Sequence, residues 1–462
     1  MTSLADPAFE GWLDGQLRRA AHGMRASISP LAIVKRRPGF GQVVRPIAGS
    51  IVASPVLADW DPEPDYFFHW FRDSALVIDA LRLLHLDRLA GDDALRQLHD
   101  FTRFSLGLNR LDGRAVTAAA DRRAAVAPDF LQFLRADHEL ADVRGDAVHA
   151  ETRVNPDGTL DISRWARPQH DGPPLRALAL LRWIDAVPLE AGLHADLATL
   201  IRADLALTLR LWREPCYDIW EEELGHHYYT LRVSAAALAD GAAWLAGAGE
   251  ASAAQRCAEA SRAVLDRLDG YWVDDTAGGA GGDRELPRGH YRSRELADGR
   301  ASTKALDIAV ILAAIHAAGR ETRHGVADPR QHATLARLEA LFDAAYPINH
   351  GRAAGRGPAM GRYAGDVYHS GGAYYFSTLG AAEFCFRAAA RGRDAGDWFR
   401  RGDAYLATVR AYTPASGDLS EQFDQRSGAQ TSARHLAWSY AAFISCVAAR
   451  RLAAAAGPGP GR

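Results

Sequence analysis

Residues 308–315 read Ile-Ala-Val-Ile-Leu-Ala-Ala-Ile, and residues 331–345 read Gln-His-Ala-Thr-Leu-Ala-Arg-Leu-Glu-Ala-Leu-Phe-Asp-Ala-Ala. The first run is apolar or small at every position, so a helix formed from it must be buried on all sides. The second is striped: Leu335, Leu338 and Phe342 share a face opposite Arg337 and Glu339, as in a helix lying at a surface. Both kinds recur along the chain. Ala75 to Leu84 and Trp438 to Val447 are apolar nearly throughout, whereas Trp398, Tyr405, Val409 and Tyr412 form a stripe opposite Arg400, Arg401, Asp403 and Arg410.

Worked outward, apolar spacing predicts helices near 10–24, 73–88, 93–108, 172–187, 194–213, 227–246, 251–268, 302–318, 331–345, 371–390, 393–411 and 431–454, with very little strand. Buried and striped helices alternate, as an inner ring wrapped by an outer ring requires. The fold expected is therefore all-α, an (α/α)6 barrel closed by pairing the first helix with the last. No repeat of fixed period marks a stacked solenoid. One catalytic domain over 1–455 accounts for the length, followed by a flexible tail at 456–462. The connections entering the buried helices are long: 25–72, 109–171, 214–226, 269–301, 346–370 and 412–430. All six precede an inner helix, so they emerge at one end of the barrel, and long structured loops are where function sits.

Composition excludes several classes. A net charge of −3 gives no reason to expect nucleic acid as a partner. Cys216, Cys257, Cys385 and Cys446 form no CxxC pair and read as buried thiols. HExxH is absent around His226-His227, and the glycine run Gly278 to Gly282 lacks the lysine of a phosphate-binding loop. Neither metal nor nucleotide is expected, and no other cofactor. No apolar run is long enough for a membrane span, and Asp6, Glu10 and Asp14 make a poor secretory leader. A cytoplasmic monomer is expected, or a secreted one if the chain is a mature form.

The loops carry the chemistry. Tyr217-Asp218-Ile219-Trp220-Glu221-Glu222-Glu223 clusters carboxylates beside an aromatic wall, which suits a general acid, although glutamates also favour a helix N-terminus. Asp418-Leu419-Ser420-Glu421-Gln422-Phe423-Asp424 offers a second carboxylate at the same barrel end, unless Glu421 only caps or lies at the surface. Thr431 or Ser432 is a plausible N-cap for the last helix. Tyr66 to Ser74 supplies aromatic faces and the Arg72-Asp73 fork, which equally describe a core segment and a cap. Trp165 to Pro174 and Gly361 to Tyr368 add donors, acceptors and rings, or are simple entry turns. Together they describe a polar and aromatic pocket matched to a saccharide.

Taken in order, these motifs resemble glycoside hydrolase family 15, the glucoamylases, in its compact fungal-type catalytic domain. The resemblance runs from Tyr66 to Phe443 and is carried by Trp70-Phe71-Arg72-Asp73-Ser74, Trp165 to Pro173, Tyr217 to Glu222, Gly361 to Tyr363, Glu421 to Asp424, and Trp438 to Phe443. It implies exo-hydrolysis of α-glucans with inversion, Glu221 as general acid and Glu421 as general base, with carboxyls about 6.5–9.5 Å apart to admit a water. It places Trp70, Arg72, Asp73 and Trp165 around the terminal glucose. Glu222 and Arg362 fall nearer the scissile bond, and Arg167, Trp220, Tyr363 and Tyr374 among the remaining substrate contacts. His369 to Tyr375 departs from starch-active fungal members at Gly372 and Tyr374, which leaves α-1,4 against α-1,6 preference open. An isomaltose-directed glucohydrolase, a trehalase-like enzyme and a silent glycan-binding protein remain the alternatives.

Overall fold

The computed structural model of the 462-residue chain describes residues 6–59, 62–91, 93–119, 122–274, 286–391 and 394–456. The glycine run at 278–282 and the tail beyond 456 lie outside the described residues. Twelve helices carry the fold: α1 Pro7–Ala26, α2 Phe71–Leu86, α3 Asp93–Gly107, α4 Gly172–Ala186, α5 Ala191–Leu211, α6 Tyr228–Gly247, α7 Ala251–Asp269, α8 Ala309–His316, α9 Pro329–Ala345, α10 Tyr375–Ala389, α11 Ala395–Tyr412 and α12 Ala437–Ala456. The even-numbered helices form the inner ring. α2 packs on α4, α4 on α6, α6 on α8, α8 on α10, α10 on α12, and α12 returns to α2. The odd-numbered helices wrap them, giving the (α/α)6 barrel.

The opening run explains why the ring holds. Ala309 to Ile315 of α8 are all buried, and each large aliphatic among them contributes about 1.5–3 kcal/mol through burial. A helix this short is unstable alone, so its ring neighbours make it. On α10, a Cβ at Gly380 would stand 2.4 Å from a Leu312 methyl, so the bare glycine lets the two inner helices approach. The ring closes outside as well as inside. Arg450 of α12 reaches Glu10 of α1 at 2.6 Å and Asp403 of α11 at 2.6 Å.

Three helices start later than their spacing predicts, because polar residues ahead of them have other partners. α8 begins at Ala309, whose N–H donates to the Asp307 carboxylate at 2.8 Å, and not at residue 302. α10 begins at Tyr375 and α12 at Ala437, after Ala373–Tyr374 pairs with Gln422–Phe423 and the latter with Gln430–Thr431. These strands, like all the others described, are only two to four residues long. The 108–171 connection has a small core of its own, in which Leu134, Leu140, Val143 and Val148 pack with Phe104 and Phe71. No described helix is long and apolar enough to cross a membrane.

Candidate active site

The long connections converge on a pocket of about 240 Å³. Five contribute directly: Tyr66 and Trp70 lead into Arg72 and Asp73 of α2, Trp165 comes from the second, Trp220, Glu221 and Glu222 from the third, Arg362 and Tyr368 from the fifth, and Glu421 from the last. The 270–308 connection acts from behind, through Lys304 on Glu222 and Asp307 on Trp220. The floor is an aromatic stack. Phe376 lies on Trp438 with centroids 4.2 Å apart at 5°, and Trp220 faces Trp438 at 6.2 Å.

Glu221 sits in the turn of a hairpin. Cys216–Tyr217 pairs with Leu224–His227, which pairs onward with Arg294–Leu296. The Asp218 carboxylate accepts the N–H groups of Glu222 at 2.7 Å and Glu223 at 3.1 Å, and the Glu221 N–H donates to the Asp218 carbonyl at 2.9 Å. That winding leaves Glu221 at φ 66°, a region non-glycine residues seldom occupy, at a cost of order 1–3 kcal/mol. Buried Arg294 secures the turn by bonding Asp218 at 2.7 Å while also pairing with Asp307. Gly225 is needed where the strands meet, because a Cβ there would lie 2.3 Å from the Glu295 carbonyl oxygen.

The two adjacent glutamates have different partners. Glu221 Oε1 accepts from the Trp70 indole at 2.8 Å and from Arg72 at 3.2 Å, and Oε2 accepts from the Trp165 indole. Glu222 is held by cations: Oε1 accepts from Arg362 at 3.0 Å and Oε2 from Lys304 at 2.6 Å, with the Tyr363 hydroxyl donating at 2.7 Å. Glu222 therefore braces the rim, while Glu221 is the carboxyl presented among the pocket aromatics.

Arg72 is surrounded by carboxylates, Asp73 at 3.3 Å, Asp171 at 3.5 Å and Glu221 at 3.2 Å. Burial works against its charge, but the three carboxylates outweigh it and hold the guanidinium protonated. Burial pushes Asp73 up to about 6, with Arg72 opposing and Glu221 and Asp171 adding to the rise. Asp73 Oδ2 is buried and, beyond its ion pair with Arg72 at 3.3 Å, accepts no hydrogen bond among the described residues.

Glu421 lines the same pocket. The Ser432 hydroxyl donates to its Oε2 and the Tyr66 hydroxyl reaches Oε1 at 3.4 Å. Burial pushes its carboxyl up to about 7; Ser432 and Arg362 pull against this, and Asp73 and Asp366 add to it. Thr431 lies in a strand and Ser432 serves Glu421, so neither caps α12. The two carboxyls are linked through rings: Tyr66 touches Glu421, its ring is 5.2 Å from Trp70, and Trp70 bonds Glu221.

Three residues expected at the substrate stand elsewhere. Arg167 is used within its own loop, bonding Asp161 at 2.6 Å, Glu151 at 2.7 Å and the Ser163 carbonyl at 3.0 Å. Tyr374 is fully buried behind the pocket, donating to Asp366 at 3.0 Å and accepting from Gln422 at 2.8 Å. Tyr363 is buried against Glu222 and does not line the pocket. Conversely, Phe376 and Lys304 stand at the site with no sequence reading pointing to them, Ser432 reads in the sequence only as a cap, and Tyr66, Tyr368 and Trp438 lie in the quoted motifs without an individual role. Lys304 had one signal: it is one of only two lysines in a chain otherwise supplied with arginine.

The fold and site together are an α/α double ring whose loops bring two carboxyls and an arginine-aspartate fork to an aromatic-floored pocket. The chain belongs to the glycosyl hydrolases family 15, whose profile matches residues 39–103, 146–399 and 400–448. Among similar proteins, the glucoamylase of Neurospora crassa is 27% identical over 452 residues, covering 87% of this chain and 63% of the relative. The intracellular sporulation-specific glucoamylase of Saccharomyces cerevisiae is 26% identical over 507 residues, covering 94% of this chain and 83% of the relative. The chain thus spans less than two thirds of the Neurospora protein. Among solved structures, Hormoconis resinae glucoamylase superposes with TM-score 0.71 at 25% identity, over 95% of this chain and 73% of that one. Saccharomycopsis fibuligera glucoamylase gives 0.73 at 20% identity, over 98% and 96%, and speaks to the fold.

Proposed function

We propose that the protein is an inverting exo-α-glucosidase of the glucoamylase type, which releases β-glucose from the non-reducing ends of α-glucans or malto-oligosaccharides. The observation that supports this reading is that Glu221 and Glu421 both line one small pocket together with the buried Arg72-Asp73 fork. Glu221, protonated, gives its proton to the glycosidic oxygen as the C1–O bond breaks. Glu421, ionised, takes a proton from a water that attacks C1 from the opposite face. Glu421 ends protonated and Glu221 ionised, and exchange with solvent restores both. Glu222, paired with Arg362 and Lys304, is not the donor in this scheme but fixes the rim on which the departing sugar rests.

Proton NMR of a fresh digest of maltose, isomaltose and a short maltodextrin tests the proposal, with β-glucose expected before mutarotation. The order of rates sets the linkage preference. Initial α-glucose would overturn the two-glutamate assignment. Roles separate with α-glucosyl fluoride, whose leaving group needs no acid: Glu221→Gln should still cleave it, and Glu421→Gln should not.

A further inference from the structure

A second cavity, of about 550 Å³, lies on the other side of Trp165 from the catalytic pocket. Its walls are Phe40, Phe68, Phe130, Phe133 and Trp165, with Arg153 among them. Phe130 and Phe133 come from the turn Pro128–Phe133 and are 37% and 51% exposed, which is unusual for rings with no ligand to cover. They meet edge to face at 6.0 Å and 70°, and Phe40 meets Phe130 at 5.4 Å and 82°. The turn falls in residues 104–145, between the matched family segments, and rests on the separate small core beneath that loop.

The chemistry of the walls selects a ligand. Arg37, Arg153 and Arg164 are balanced by Asp59, Asp65 and Asp161, so neither an anion nor a cation gains net attraction. Arg153 is 1% exposed and lies 3.7 Å from the Trp165 ring centroid and 3.9 Å from that of Phe68. Its Nε bonds Asp161 at 2.9 Å and Nη2 bonds Ser163 at 3.2 Å, but Nη1 has no hydrogen-bond partner among the described residues. A buried N–H left unsatisfied costs about 1–3 kcal/mol, which a ligand oxygen recovers and a hydrocarbon does not. A saccharide is neutral and offers both apolar ring faces and oxygen acceptors. The cavity has more than twice the volume of the pocket that takes one terminal sugar, which is room for two rings.

We propose that this cavity is a second saccharide site, holding a disaccharide-length stretch of α-glucan with Trp165 as the wall it shares with the catalytic pocket. The ligand class rests on the function proposed above. Titration calorimetry of the Glu221→Gln chain with maltotriose, which it should bind without cleaving, is the test. Two binding events per chain are expected. Combining Phe130→Ser and Phe133→Ser should weaken one at least about tenfold, and Phe133→Trp should preserve it. Phe130→Ser and Phe133→Ser in the otherwise unchanged enzyme should leave maltose turnover as it was, with unaltered circular dichroism reporting an intact fold. A single event, or a second event indifferent to both phenylalanines, would overturn the inference while wild-type maltose turnover kept the proposed function standing. Absence of both turnover and binding would overturn the proposed function and this site with it.

Discussion

Glu421 works only as a carboxylate in the scheme proposed, yet burial favours its acid form and moves it up to about 7. Its contribution to kcat/KM is therefore present above that value and lost as pH falls through it. The acid limb of the pH–rate profile should stand well above the ordinary carboxylate range. Ser432→Ala removes a bond that stabilises the ionised form, so the limb should move further up, with a larger loss of rate at pH 5 than at pH 8. On the other side, Trp165→Phe keeps a ring but deletes the N–H on Glu221. We expect kcat for maltose to fall about 10- to 100-fold, in the range for losing one aimed donor, with KM changed less. Residue identity was most legible where motif and orientation coincide, as for Glu221, Arg72 and Asp73. It was least legible where neighbours decide orientation. Arg167 and Arg362 both sit in loops rich in donors and acceptors, but Asp161 and Glu151 draw the first away from the pocket while Asp366 and Glu222 hold the second beside it. Tyr66 is one of three successive aromatics, and no local pattern says that Phe67 turns to the core while Tyr66 turns to Glu421.

The elements follow the same logic. All twelve helices were visible as periodicity because each buries a face or its whole circumference, and burial is what spacing encodes. The short strands were not visible, since two-residue pairings are fixed by partners distant in the chain. The hairpin at 216–227 is the most consequential of them, as it sets the direction of Glu221. Gly225→Ala puts a methyl group against the Glu295 carbonyl, and we expect about 1–3 kcal/mol of destabilisation in urea unfolding. Activity of the folded fraction should fall much more than stability does, because the displaced strand carries the turn. Wild-type kcat in a folded Gly225→Ala protein would show that the turn is positioned independently of the strands.

At the scale of the whole barrel, two sets of buried groups oppose each other in acid. His69 and His316 are lowered to about 3, and His170 and His227 to about 4, mainly by burial, so the unfolded chain binds protons first and stability falls as pH drops below about 6.5. Asp73, Asp171 and Asp307, raised to about 6, have the reverse sign: the fold binds their protons first, which adds stability as pH drops from about 6 toward 4. Below about 4 that gain is complete. The lowered carboxylates Asp79, Asp161 and Asp218 then lose their stabilising charge alongside the continuing histidine penalty. Urea midpoints should decline only gently between pH 6 and 4.5, where the aspartates offset most of the histidine penalty, and drop steeply below 4; an equally steep decline from 6.5 downward would show that the aspartates do not compensate. Arg450→Ala unfastens α12 from both Glu10 and Asp403 and should lower stability by about 1–3 kcal/mol without altering KM, as it does not line the pocket. The aromatic floor has a consequence in time. Trp220 leaves the ribosome more than 200 residues before Trp438, the ring it faces, so the nascent chain carries Glu221 long before it has a floor beneath it. The pocket is finished only when the last inner helix docks, so the growing polypeptide completes its site at the very end of its synthesis.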